Sequence, residues 1–194
     1  MEHYFFKKQE SPFIVKKIKA KIFGNDLEFN TAPSVFSKSK PDFGSLCLIN
    51  NSIIKGRVLD LGCGYGLVGI AIAKQFTDVS VVMSDINKRA LRLARMNVKL
   101  NKVKADVIES DMFSKLNEKF DTIICNPPQK AGKEVCLRII SESKEHLTED
   151  GLLQIVARHN KGGKELMKKM KEVFGNVEET FKKAGFRVYA SKLD

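Results

Sequence analysis

The stretch that most constrains this chain is Arg57 to Gly69, RVLDLGCGYGLVG. A short apolar run, Val58-Leu59-Asp60-Leu61, passes directly into glycines at alternate positions, Gly62, Gly64 and Gly66. An apolar helical pattern then begins with Leu67, Val68, Ile70, Ala71, Ile72 and Ala73. Glycines permit positive φ and close approach of the backbone to a ligand. The first amides of a helix lack intrahelical partners and favour polar or anionic groups. In an open α/β sheet the ligand crevice lies beyond the carboxyl ends of the strands. The stretch therefore predicts a ligand cradle at one end of a parallel sheet. Nicotinamide dinucleotides and S-adenosylmethionine both use such turns, so the turn alone does not choose between them.

From Arg57 onward, strand and helix patterns alternate, as in a doubly wound parallel sheet. The strands are expected at 57–61, 79–84, 104–109, 120–125 and 151–157, and the helices at 67–75, 87–100, 132–147 and 162–174. Asn87 is placed to cap the second helix, and Gly151 follows the third. Two closing runs, 177–183 and 186–191, joined by Ala184-Gly185, predict an antiparallel hairpin on the sheet edge. Upstream, Phe13 to Phe23 alternates loosely with Lys16, Lys17, Lys19 and Lys21 interleaved. Gly24-Asn25-Asp26 turns the chain and Leu27-Glu28-Phe29 returns it, which reads as a hairpin with one basic face. Asp42 is placed to cap a helix running to about Ile54. The expected division is an N-terminal β-hairpin extension over 1–40 and a catalytic domain over 41–194.

Composition narrows the partners. The formal net charge is +11, with 34 basic against 23 acidic side chains. Residues 1–40 hold 8 basic against 4 acidic residues and residues 161–194 hold 9 against 5, so the excess sits at the two ends. Basic surfaces flanking a near-neutral body point to a phosphate-rich partner, and a lysine-rich composition serving solubility is the plain alternative. Cys47, Cys63, Cys125 and Cys136 are scattered, and His3, His146 and His159 are dispersed, so no metal site is expected. No apolar run is long enough for a membrane span, and the N-terminus lacks a signal-peptide core. A cytoplasmic protein with reduced thiols is expected.

Two further features carry chemistry. Asp85 ends the second strand, 25 positions after Asp60, where a carboxylate can accept both ribose hydroxyls of an adenosine. Asn126-Pro127-Pro128-Gln129 directly follows the strand Phe120 to Cys125. There the Asn126 side-chain oxygen and the Pro127 carbonyl can accept hydrogen bonds from a planar amine and hold it in line for attack. The double proline fixes φ at two positions.

A strand, a glycine turn, and a later strand ending in Asn-Pro-Pro resemble the class I S-adenosylmethionine-dependent methyltransferases that act on amino or amide nitrogens. NPPQKAGKEV from Asn126 to Val135 is more specifically similar to the RsmC-type small-domain methyltransferases. So is Val35-Phe36-Ser37 followed by Lys40-Pro41-Asp42-Phe43-Gly44-Ser45. Those enzymes methylate the exocyclic N2 of guanine in small-subunit ribosomal RNA. Bacterial members carry a second, degenerate half, so at this length the chain is expected to be a single-domain, archaeal-type member, monomeric or a small homo-oligomer.

The resemblance implies a Rossmann-like fold: a seven-stranded, mostly parallel sheet with a C-terminal antiparallel hairpin. It implies S-adenosylmethionine as cofactor, held by Asp60, Gly62, Cys63, Gly64, Gly66, Asp85, Ile86, Asp111, Met112 and Asn126. It also implies ribosomal RNA or a ribosomal subunit as partner. Asn126, Pro127 and Pro128 are the expected catalytic residues, and Phe36, Gln129, Lys130, Lys133 and Arg158 the expected substrate contacts. The basic residues among these are expected to meet phosphates. Two positions depart from the family. Gln129 stands where an aromatic residue often stacks on the target base, leaving Phe36 or Phe43 as candidate clamps. Pro33-Ser34 stands where a glycine usually precedes Val35. Protein glutamine N-methylation, adenine N6-methylation and a non-catalytic RNA-binding role are the competing expectations.

Overall fold

The computed structural model describes residues 12–37, 39–128 and 131–194. Gln129 and Lys130 therefore lie outside the described residues. A seven-stranded sheet in the order β5-β4-β3-β6-β7-β9-β8 forms the body. Its strands are β3 (Arg57–Leu61), β4 (Ser80–Asp85), β5 (Asp106–Glu109), β6 (Phe120–Cys125), β7 (Leu147–Arg158), β8 (Glu178–Lys183) and β9 (Phe186–Lys192). The first five are parallel to one another, while β9 runs antiparallel to both β7 and β8. Val58, Leu59, Ile123 and Ile124 are fully buried. The central strands accordingly read as continuous apolar runs covered on both faces, each such side chain contributing roughly 1.5–3 kcal/mol.

The helices are α1 (Phe43–Asn51), α2 (Leu67–Gln75), α3 (Lys88–Asn101), α4 (Lys133–Ser143) and α5 (Lys164–Phe174). None is long and apolar enough to cross a membrane among the described residues. Asp42 and Asn87 cap α1 and α3 through their side chains, accepting from Ser45 N and Ala90 N. Several boundaries differ from the sequence expectation, two of them by four residues, while α1 ends at Asn51 rather than about Ile54, β5 starts at Asp106 and α5 at Lys164. Helix α4 stops at Ser143, and β7 starts already at Leu147. Leu147 pairs with Phe120 before an irregularity restores the register at Thr122 and Leu152. Gly151 therefore sits inside a bulged strand rather than behind a helix.

The N-terminal hairpin pairs β1 (Lys16–Ile22) with β2 (Asn25–Thr31) as its own two-stranded sheet. Phe23 (φ 51) and Gly24 (φ 78) form the two-residue turn, one step earlier than the expected Gly24-Asn25-Asp26, because a hairpin turn of this kind needs left-handed residues at both central positions. The other edge of β2 is fastened to α3 by asparagines one helical turn apart. Asn101 accepts from Glu28 N and donates to Glu28 O, at 3.1 and 2.8 Å. Asn97 accepts from Asn30 N at 2.7 Å and donates to Asn30 O at 3.0 Å and to Tyr65 O at 2.9 Å. The side chains take the place of a third strand for Glu28 and Asn30, whose backbone amides and carbonyls are all paired. Leu27 and Phe29 drop into the same core as α2 and α3.

Asn97→Ala strands the Asn30 amide and two carbonyls in the interior, so unfolding in urea is expected to show a loss of roughly 3 kcal/mol. A loss under about 1 kcal/mol would mean that the Asn101 pair alone holds the hairpin.

Candidate active site

The register of the sheet assembles the site. Leu61 is opposite Cys125 on one side and Ser84 on the other, Ser84 is opposite Ile108, and Cys125 is opposite Ile155. The loops that follow these positions leave the sheet along one line. The chain winds outward from β3 through β4 to β5, then returns to β6 on the other side of β3. The crevice therefore opens at the switch point between β3 and β6, where open α/β sheets bind ligands.

Gly62 and Cys63 both donate their amides to Ser84 O at 2.9 Å, and Gly62 (φ 73), Gly64 (φ 57) and Gly66 (φ 92) all take the left-handed conformation. Asp85 ties the turn to the neighbouring strand: Oδ2 accepts from Gly64 N and Oδ1 from Asn87 N, each at 2.8 Å. Beneath the turn, the buried Asp60 accepts from Gly69 N at 2.8 Å. Beyond β5, Ser110 donates to Met112 O and accepts from Lys115 N, a knot that holds Asp111 and Met112 at the crevice edge.

Asn126 is fixed from across the fold. Its Nδ2 donates to Asp42 Oδ2 and to Ser45 Oγ, each at 3.0 Å, and Asp42 Oδ2 also accepts from Ser45 N at 2.8 Å. A carboxylate oxygen can only accept, so Asp42 dictates which side of the amide carries nitrogen. The amide oxygen of Asn126 is thereby left for the crevice. The Pro128 carbonyl accepts from Ala131 N at 2.7 Å, and no described residue donates to the Pro127 carbonyl.

These groups line one cavity of about 620 Å³, the size of a small-molecule site. Among the described residues its charged lining is Asp42, Asp60, Asp85, Asp111 and Arg158, four carboxylates to one cation in a protein of net charge +11. Burial lifts the Asp60 carboxyl to about 7, with the neighbouring Asp85 charge adding to the rise. Asp85 is raised by burial against the opposing pull of its amide donors. Among the described residues Tyr65 Oη and Ser84 Oγ are buried without partners, and both residues line the cavity.

S-adenosylmethionine fits this wall. Its sulfonium and ammonium are complementary to the carboxylates, its ribose and adenine offer polar edges to the orphaned hydroxyls, and the glycine turn leaves room for close approach. A dinucleotide pyrophosphate would instead face clustered negative charge, which costs several kcal/mol for like charges.

Of the cofactor set expected from the sequence, Asp60, Gly62, Cys63, Gly64, Asp85, Ile86, Asp111, Met112 and Asn126 all reach the cavity. Gly66 does not. It is the residue before α2, and a Cβ there would meet Ile70 at 2.9 Å, so its part is in the packing of the turn. Phe36 and Arg158 reach the cavity with Pro127 and Pro128. Lys133 is exposed at the start of α4 and is outside the lining. Phe43 also stands outside the lining, its ring packed edge-on against Phe186 with centroids 5.5 Å apart. Cys47, Cys63, Cys125 and Cys136 are free and buried, and among the described residues no group of His, Cys, Asp or Glu is arranged to hold a metal ion. Asp42, Ser45, Tyr65, Ser84 and Phe186 also line the cavity and are not among the site residues expected from the sequence. The cap signal at Asp42 and the family-like segment Lys40 to Ser45 are the traces of the first two.

The family model described as "Methyltransferase small domain" matches residues 26–190. The chain belongs to that family. It is 34% identical over 197 residues to the uncharacterized protein YbxB of Bacillus subtilis, covering 98% of both chains. It is 37% identical over 173 residues to a ribosomal RNA small subunit methyltransferase C of Haemophilus influenzae, and spans 52% of that protein's length. Against the corresponding Actinobacillus pleuropneumoniae protein it is 34% identical and spans 59%. The fold superposes on a T. thermophilus 16S rRNA N2 G1207 methyltransferase, a structure in complex with AdoMet and guanosine, with a TM-score of 0.82 at 24% identity, over 94% of this chain and 52% of that one. These relatives are bacterial, where the sequence pointed to archaeal-type members.

A folded-state pKa near 7 for Asp60, above the ordinary carboxyl value, means the free protein loses stability as pH rises from about 4 to about 7. A cationic ligand binds the ionised form better. Affinity for S-adenosylmethionine is therefore expected to rise between about pH 5.5 and about 7 with release of protons, and Asp60→Asn, which keeps the Gly69 bond, to flatten the rise. Calorimetry in two buffers of different ionisation enthalpy reads the proton count. An unchanged count in the variant would remove Asp60 from the linkage.

Proposed function

We propose that this chain is an S-adenosylmethionine-dependent methyltransferase that methylates the exocyclic N2 of a guanine in small-subunit ribosomal RNA. The observation that carries the reading is the Asn126 amide, held by Asp42 and Ser45 so that its oxygen faces the carboxylate-lined cavity. Asp85 would take the ribose, Asp111 and Met112 the adenine, and Asp60 and the glycine turn the methionine end. When bound, the cofactor supplies an activated methyl group, so no metal or covalent nucleophile is needed.

The chain's own residues contribute position and electrostatics. An amine conjugated to a purine ring is a poor nucleophile because its lone pair is delocalised. Asn126 Oδ1 and the Pro127 carbonyl accept hydrogen bonds from its two N–H groups and fix the nitrogen in line, and the one proton lost on methylation passes to solvent. Both acceptors strengthen as positive charge develops on nitrogen. The prolines and the Asp42 clamp set these acceptors in advance, so little reorganisation is needed during reaction.

The choice of ribosomal RNA over a protein amide rests on the named relatives and on the net charge of +11. Asn126→Ala is expected to lower kcat by about 10²–10³-fold while S-adenosylmethionine binding is kept, in an assay of labelled methyl transfer to unmodified small-subunit RNA followed by nucleoside mass analysis. Wild-type product other than N2-methylguanosine, or label appearing in protein glutamine, would overturn the substrate. Full activity in the variant would overturn the role of Asn126.

A further inference from the structure

The absence of an aromatic residue at Gln129 raises the question of what the target base stacks on. Arg158 ends β7 and is the cross-strand partner of Phe186 in β9. Its guanidinium lies over the Phe186 ring, 4.9 Å from the centroid. Phe43 braces the ring edge-on at 68°. Gly44 lies below it: a Cβ at Gly44 would approach Phe186 Cε1 to 2.9 Å, so only a glycine lets the ring settle on the first turn of α1. That same turn carries Ser45, with Asp42 as its cap, and these two residues hold Asn126. The stack and the amine acceptor are thus mounted on one support.

Arg158 and Phe186 both line the cavity with Pro127 and Pro128. Among the described residues the Arg158 side chain makes no ion pair or hydrogen bond, and its ring contact is with Phe186 alone. It therefore presents a flat outer face and a full set of donors.

We propose that Arg158, held flat on Phe186, is the platform on which the target guanine stacks. The inference rests on the proposed RNA-methylating function and changes the role first expected for Arg158 from a phosphate contact to a base contact. A guanidinium plane backed by an aromatic ring is a recurrent partner for an unstacked base. The base would add a third layer to Phe186 and Arg158, bringing its amino group toward Asn126 and Pro127 from the side. Phe186 is a positioning residue in this arrangement, because it acts through Arg158.

Arginine and lysine separate the two roles, since lysine keeps the charge and loses the plane. In methyl transfer to unmodified small-subunit RNA by the whole protein, Arg158→Lys and Arg158→Ala are both expected to lose about 10- to 100-fold in kcat/KM, from stacking worth about 1–3 kcal/mol. The slope of log KM against log salt is expected to stay that of the wild type. Phe186→Leu is expected to fall with them and Phe186→Tyr to retain activity, with S-adenosylhomocysteine binding unchanged in all four as the control on folding. Guanosine, which carries no phosphate, is expected to bind the wild-type protein loaded with S-adenosylhomocysteine and to bind Arg158→Lys more weakly by a similar factor.

Wild-type activity in Arg158→Lys, or a salt slope reduced by about 0.7 to 0.9 in Arg158→Ala, would return Arg158 to a phosphate contact and overturn the platform alone. A wild-type protein that neither labels RNA nor binds guanosine would overturn the substrate reading and the platform together.

Discussion

One carboxylate coordinates the fold with the chemistry. Asp42 Oδ2 receives Ser45 N, Ser45 Oγ and Asn126 Nδ2, so the interaction that starts α1 also sets the face of the Asn126 amide. An amide is ambiguous by itself, with oxygen and nitrogen nearly the same shape. Beside an obligate acceptor it has one orientation. Everything said of the amine site depends on that constraint, and the constraint depends in turn on β6 delivering Asn126 at the end of a strand paired in register with β3.

The glycine turn shows a similar economy. Asp85 uses both oxygens to join the turn, through Gly64, to the start of α3, through Asn87. Its helix-terminal and turn-bracing parts are thus both present in one residue, which also lines the crevice. Asp60 works from below, through the Gly69 amide. Two desolvated carboxylates near each other are a standing electrostatic cost to the free protein, offset only when a cation arrives. The turn is therefore built at some expense to stability in the empty state, as binding sites commonly are.

Much of this was legible in the sequence because it is local. Apolar runs, the three alternate glycines, the caps at Asp42 and Asn87, and Ala184-Gly185 between two strand-like runs each declare themselves within a few residues, and β3, α2 and β6 fall where periodicity puts them. What could not be read is the long-range pairing. Asp42 and Asn126 are 84 positions apart, and a cap looks the same whether or not its second oxygen lone pair is engaged. Phe186 reads as an ordinary strand residue until β7 and β9 are paired antiparallel with Arg158 beside it. The early start of β7 at Leu147 was hidden for a related reason, since only its pairing with Phe120 overrides the helical signal running toward His146.

The placement of charge has a consequence for traffic at the site. The cavity carries four carboxylates inside a chain of net charge +11, so the sign of the field reverses between the outer surface and the crevice. Such a protein sorts ligands by charge twice. Polyanions are drawn to the exterior at long range but repelled from the interior, while a small cation gains little from the exterior and is favoured once inside. The described lining of the crevice thus favours a cationic group over an anionic one of the same shape.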